Sequence, residues 1–152
     1  LKIKVAFSKE KDPDFVSQQI MKKDNTDYSH VLIIYDESKI FHAVGEGVCT
    51  DDLCRFEDEH ELPFIFEIDL NVTRDYFLGF VDGSKGKEYS QSQIAAIASG
   101  KGGDMNGDEK MICSELVGIV LTRMAGFKLK GSQDMWRPID CFNALKSGLE
   151  LS

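Results

Sequence analysis

Proline, tryptophan, histidine and cysteine are all scarce in this chain of 152 residues, at three, one, three and four copies. The four cysteines, Cys49, Cys54, Cys113 and Cys141, are too few and too scattered for a disulfide framework, which is the pattern of a protein not stapled by disulfides. A zinc site on Cys49, Cys54 and His60 is disfavoured, because the spacing of the two cysteines is loose and no fourth ligand stands out. Long apolar runs are also missing. None approaches the roughly 20 residues that span a bilayer, so stable membrane insertion is not expected. The opening residues 1–7 alternate lysine with apolar side chains and are too short for a signal peptide. That points to the cytoplasm, although a chain starting at Leu1 is compatible with a delivered or processed form. Positive charge is outnumbered, 18 Lys and Arg against 26 Asp and Glu, for a net charge of -8. Phosphate binding needs clustered cations, so nucleic acid and anionic membranes are not expected partners.

What is present is an ordinary globular composition, 42% hydrophobic and 29% charged, in a length suited to one domain over residues 1–152. The most informative stretch is 110–121. Leu116, Val117, Val120, Leu121 and Met124 recur at helical spacing and predict a buried stripe. Gly102, Gly103 and Gly107 precede it in a polar run, so Cys113 falls where a loop becomes a helix. A helix start offers unpaired N–H groups and the positive end of the macrodipole. Both favour a thiolate, the nucleophilic form, and the same N–H groups suit a developing oxyanion. The competing reading is a structural cysteine buried under a core helix.

The rest of the chain reads as alternating short strands and helices. Residues 2–7 predict a strand. Asp12 and Pro13 predict a helix start, with Phe15, Ile20 and Met21 on its apolar face. Residues 28–35 and 39–44 predict a β-hairpin around Asp36-Glu37-Ser38, ended by Gly45 and Gly47. Residues 49–61 read as a polar, acidic connection and 63–69 as a strand. Thr73 begins a helix carrying Tyr76, Phe77, Phe80 and Val81. Ser90 caps another with Ile94, Ala95, Ile97 and Ala98. Residues 127–130 read as a short strand, and Pro138 opens a last helix.

Two of the three histidines, His30 and His42, fall on this hairpin. Both numbers are even, so an odd-length turn puts them on one face. They are directly opposite if Asp36 is the pivot and diagonal if it is Glu37. A thiol nucleophile needs a base within reach, and the base needs a group that fixes its tautomer. Cys113, His30 and His42 would meet those needs in that order.

The segments Tyr28-Ser29-His30-Val31, Phe41-His42-Ala43-Val44-Gly45-Glu46-Gly47-Val48, Gly86-Lys87-Glu88-Tyr89, Ile112-Cys113-Ser114-Glu115-Leu116-Val117 and Arg137-Pro138-Ile139-Asp140 resemble those of the permuted NlpC-type papain-fold cysteine hydrolases. That group includes the YiiX-like enzymes and, more distantly, lecithin:retinol acyltransferase. The resemblance runs over roughly residues 10–145. It implies an α+β papain-like fold with a small antiparallel sheet packed on a central Cys-bearing helix. It also implies Cys113 as nucleophile, His30 as general base and His42 as third polar group, with Glu46 as the alternative third group. Tyr28, Glu46 and Ser114 would be on the substrate side. The acyltransferase branch carries an Asn-Cys-Glu motif where this chain has Cys113-Ser114-Glu115, which favours the amidase and peptidase branch. The expected function is hydrolysis of amide bonds in a peptide or peptidoglycan-fragment substrate, without cofactor or metal. A lipid-ester hydrolase or acyltransferase, and a non-catalytic binding domain, are the alternatives.

Asp104, Asn106, Asp108 and Glu115 have the spacing of a calcium loop, but Glu109 stands where the sharp turn needs Gly, so a polar lid is preferred. Trp136 and Met135 read as core or pocket wall. The acidic side chains of 51–61 read as a solvated face.

Overall fold

The computed structural model describes residues 1–44, 47–86, 88–89, 110–111 and 113–150. It is α+β, with a five-stranded antiparallel sheet in the order β4-β3-β2-β1-β5. The strands are β1 (Lys2–Glu10), β2 (His30–Tyr35), β3 (Lys39–Val44), β4 (Gly47–Asp52) and β5 (His60–Asp69). Two further short strands, β6 (Glu88–Tyr89) and β7 (Lys110–Met111), pair in parallel. The helices are α1 (Phe15–Asp24), α2 (Leu53–Glu57), α3 (Arg74–Ser84), α4 (Cys113–Met124) and α5 (Pro138–Glu150), with a 3₁₀ turn at Gln133–Met135. Among the described residues no helix is long and apolar enough to cross a membrane.

The hairpin forms where expected. Asp36 and Glu37 take left-handed conformations, with φ of 49° and 66°, and the register is Tyr35↔Lys39, Ile34↔Ile40 and Ile33↔Phe41. That register pivots on Glu37, so the diagonal arrangement of His30 and His42 is the one adopted. Val31, Ile33, Phe41 and Ala43 face α4 and join its Leu116, Val117, Val120 and Leu121 in the main core. Leu32, Ile34 and Ile40 face the other way, onto Ala6 and Phe56 of α2. Both faces of the hairpin are therefore covered, which accounts for its unbroken apolar run.

Four expectations need correction. Residues 49–61 are not a plain connection, because the chain returns as β4 along β3 and then forms α2. The first helix is capped by Asp14, whose carboxylate accepts from Ser17 N at 2.8 Å, rather than by Asp12. The third predicted strand starts earlier, at His60. Residues 127–130 carry no strand. The helix predicted from Ser90 and the run Asp104–Asp108 lie outside the described residues.

The α4 helix is held from behind. Ser114 Oγ donates to Trp136 O at 2.6 Å, and Gln133 Nε2 donates to Glu115 at 3.0 Å. Trp136 lies so close to Gly118 that a Cβ there would collide with its ring. Arg137 bonds Asp24 at 2.5 Å and its backbone N–H donates to Asp140 at 2.8 Å, tying the start of α5 to the end of α1.

Candidate active site

His30 and His42 are in direct contact. His30 Nε2 lies 3.0 Å from His42 Nδ1, and the rings are tilted by 65°. Alternation along β2 and β3 puts both on the α2 side of the sheet, where each ring lies near Phe56. Among the described residues the β2–β3 register runs from Tyr35↔Lys39 to Ile33↔Phe41, and His30 and His42 lie past that end of it. Cys113 meets the sheet there. The backbone amide of Val31, the peptide that joins it to His30, faces the Cys113 sulfur, as do the amides of Cys113 and Ser114. Thiol and imidazoles line one cavity of about 790 Å³.

The electrostatics differ from the expectation in sign. Burial pushes the Cys113 thiol up from 9.0 to about 11, and the surrounding amides only partly oppose this. Cys113 is only 2% exposed, so loss of solvation outweighs the helix-start effect. Burial, followed by the neighbouring His42 and His60, holds His30 well below 6.5. At neutral pH the site therefore contains a thiol and a neutral imidazole, not an ion pair.

This arrangement sets a pH dependence of stability. In the unfolded chain the thiol ionises near 9.0, whereas in the fold it holds its proton to about 11. Between those values the folded state binds more protons, so stability falls as pH rises. Two pH units correspond to roughly 2.7 kcal/mol. Cys141, raised by burial and by Cys113, acts in the same direction. His30 has the opposite sign: below 6.5 the unfolded chain takes up a proton that the fold resists, so stability falls as pH drops. Thermal melts should therefore peak between pH 6.5 and 9, with a shallower alkaline decline in Cys113→Ala.

The other proposed site residues fare differently. Tyr28 is buried in an aromatic cluster with Phe7, Phe64 and Phe142 and is not among the residues that line the cavity. Burial also raises its hydroxyl far above the usual range. Ser114 is fully buried, and its hydroxyl donates to Trp136 O and also lies against the Cys113 thiol. Glu46 lies outside the described residues.

No protein-family model matches the chain, and no curated protein matches it.

Sequence reasoning missed two residues of the cavity. His60 stacks on Phe56 with ring centroids 3.9 Å apart, and its Nδ1 lies 3.0 Å from Phe56 O. Cys49 stands directly across the β3–β4 ladder from His42. Neither could be placed without β4 and α2, whose polar sequences carry no clear periodicity. Among the described residues, five carboxylates, Glu10, Asp14, Asp51, Asp58 and Glu59, also line the cavity, against one cation, Arg55, which pairs with Asp51 at 3.6 Å. Among the described residues no group of three or more His, Cys, Asp or Glu is arranged to hold a metal ion. Cys54, Cys113 and Cys141 are free thiols.

Proposed function

We propose that this protein is a cysteine hydrolase of amide bonds, acting on peptides such as cell-wall stem peptides, with a papain-like fold of the permuted NlpC type. The observation that carries this reading is the convergence of Cys113 and the hydrogen-bonded His30–His42 pair on one cavity. Because His30 Nε2 is engaged by His42, Nδ1 is the nitrogen left to serve the thiol. For Nδ1 to act as base, Nε2 must carry the ring proton and donate it to His42 Nδ1. His42 thereby fixes the tautomer.

The steps follow from the resting protonation states. Sγ attacks the carbonyl carbon as its proton passes to His30 Nδ1, so no free thiolate need accumulate at a site that resists ionisation. The oxyanion rests on the backbone amides beside the sulfur. The C–N bond then breaks, and His30 returns the proton to the leaving nitrogen. A water molecule deprotonated by His30 opens the thioester, releasing the acid and restoring the thiol.

The acidic wall favours a peptide over an anionic lipid. One feature favours the lipid-ester alternative: Val16 lines the cavity, and its neighbour Phe15 is 72% exposed. Turnover assays separate the two. We expect amine release from peptidoglycan-derived peptides and no fatty acid release from short-chain phospholipids. The reverse result would move the assignment to the lipid reading. Peptide binding with no turnover of either would leave a non-catalytic binding domain.

A further inference from the structure

The steps above leave one buried polar group without a task. Ser8 is fully buried, and among the described residues its Oγ is the buried side-chain polar atom with no hydrogen-bond partner. Such groups are rare, because an unpaired buried hydroxyl has given up its hydration for nothing in return.

Its position is informative. Ser8 stands directly across the β1–β2 ladder from His30, and the β1–β5 register slips between Phe7 and Lys9, on either side of it. Directly opposed residues of an antiparallel pair project to the same face, with Cβ atoms roughly 5 Å apart. Ser8 thus shares the face on which His30 meets His42. The His30 ring is engaged on its β3 side by His42, and across β1 its partner is Ser8.

The proposed reaction passes through a charged form of that ring. When Cys113 Sγ bonds to the carbonyl carbon, its proton moves to His30 Nδ1, and the cation persists until the leaving nitrogen takes the proton. An imidazolium in this partly enclosed site is stabilised by nearby oxygen dipoles, and a buried hydroxyl without a hydrogen-bond partner can rotate to supply one.

We propose that Ser8 is a positioning residue of this site, whose unpartnered hydroxyl turns its oxygen towards His30 and stabilises the imidazolium formed during acyl transfer. This rests on the hydrolase reading for its role in turnover, but not for its effect on the ring. The other groups that set the proton affinity of His30 are His42 from β3 and His60 from β5, and the Cys113 thiol of α4 lines the same cavity. The carboxylates Glu10, Asp14, Asp51, Asp58 and Glu59, with Arg55, line the same cavity. All of these are unchanged in Ser8→Ala.

The test is Ser8→Ala, read by NMR titration of His30, by thermal melting and by steady-state kinetics. We expect the His30 pKa to fall by about half a unit or more, because the neighbour that favours the cation is gone. We expect kcat to fall about tenfold with KM unchanged. Melting temperature should stay level or rise, since an unpaired buried hydroxyl has been removed. An unchanged His30 pKa, or a marked loss of stability showing that Ser8 is merely structural, would overturn the proposal. If the wild-type protein turns over no peptide, the hydrolase reading fails, while the titration still decides whether Ser8 acts on His30.

Discussion

Cys113→Ala is expected to lower kcat on any cleaved peptide by about 10⁴-fold or more. The reason is that the proposed path has a single atom able to form the covalent intermediate. Cys49 lines the same cavity, but it sits on β4, away from the amides that surround the Cys113 sulfur. The substitution removes one buried sulfur and leaves a small void, so the fold should lose only about 1 kcal/mol. Circular dichroism and melting temperature separate that loss from unfolding. A decrease of only a few-fold in a folded variant would mean that the sulfur is not the attacking atom.

The second large effect is expected at the base. His30→Ala should lower kcat about 10³-fold, because the thiol holds its proton to about 11 and needs an acceptor at the moment of attack. His42→Ala acts only through the orientation and tautomer of His30, so about 10²-fold is expected there. The two should not add. The double variant should match His30→Ala alone within a few-fold, since an orienting group has no effect once the ring it orients is gone. With His30 held well below 6.5, the wild-type rate should also persist into mildly acid pH. Additive losses would show two independent histidines, and an acid limb near 6.5 would show that the His30 ring is not held below its ordinary range.

The parts of this site that could be read from sequence are those with local signals. Parity within a hairpin put His30 and His42 on one face, and the apolar stripe from Leu116 to Met124 put Cys113 at the head of a core helix. What was not legible depends on long-range packing. The strand β4 has the sequence Gly-Val-Cys-Thr-Asp-Asp, with little β-propensity and no alternation, and it forms because β3 offers an unpaired edge. Short α2 lacks a capping side-chain hydrogen bond, and its one buried residue, Phe56, is what covers the histidine face. Without those two elements, neither the cavity nor the places of Cys49 and His60 in it could be foreseen. The thiol's protonation was misjudged for a related reason. A helix start is visible in sequence, but the depth of burial that outweighs it is a property of the packed molecule. Tyr28 likewise sits near the motif in sequence, but the aromatic cluster of Phe7, Phe64 and Phe142 draws it into the core.

A small alkylating agent reports mainly the thiolate fraction, which is low for this thiol at neutral pH, so a reagent that occupies the cavity is the better probe. The most direct measurement is intact-protein mass followed by peptide mapping, after mixing at neutral pH with a stem-peptide analogue carrying an electrophilic carbonyl. The account predicts one adduct, on Cys113, forming much more slowly in His30→Ala. Adducts on exposed Cys54 or half-buried Cys49 with Cys113 untouched, or labelling of Cys113 at the same rate without His30, would contradict it.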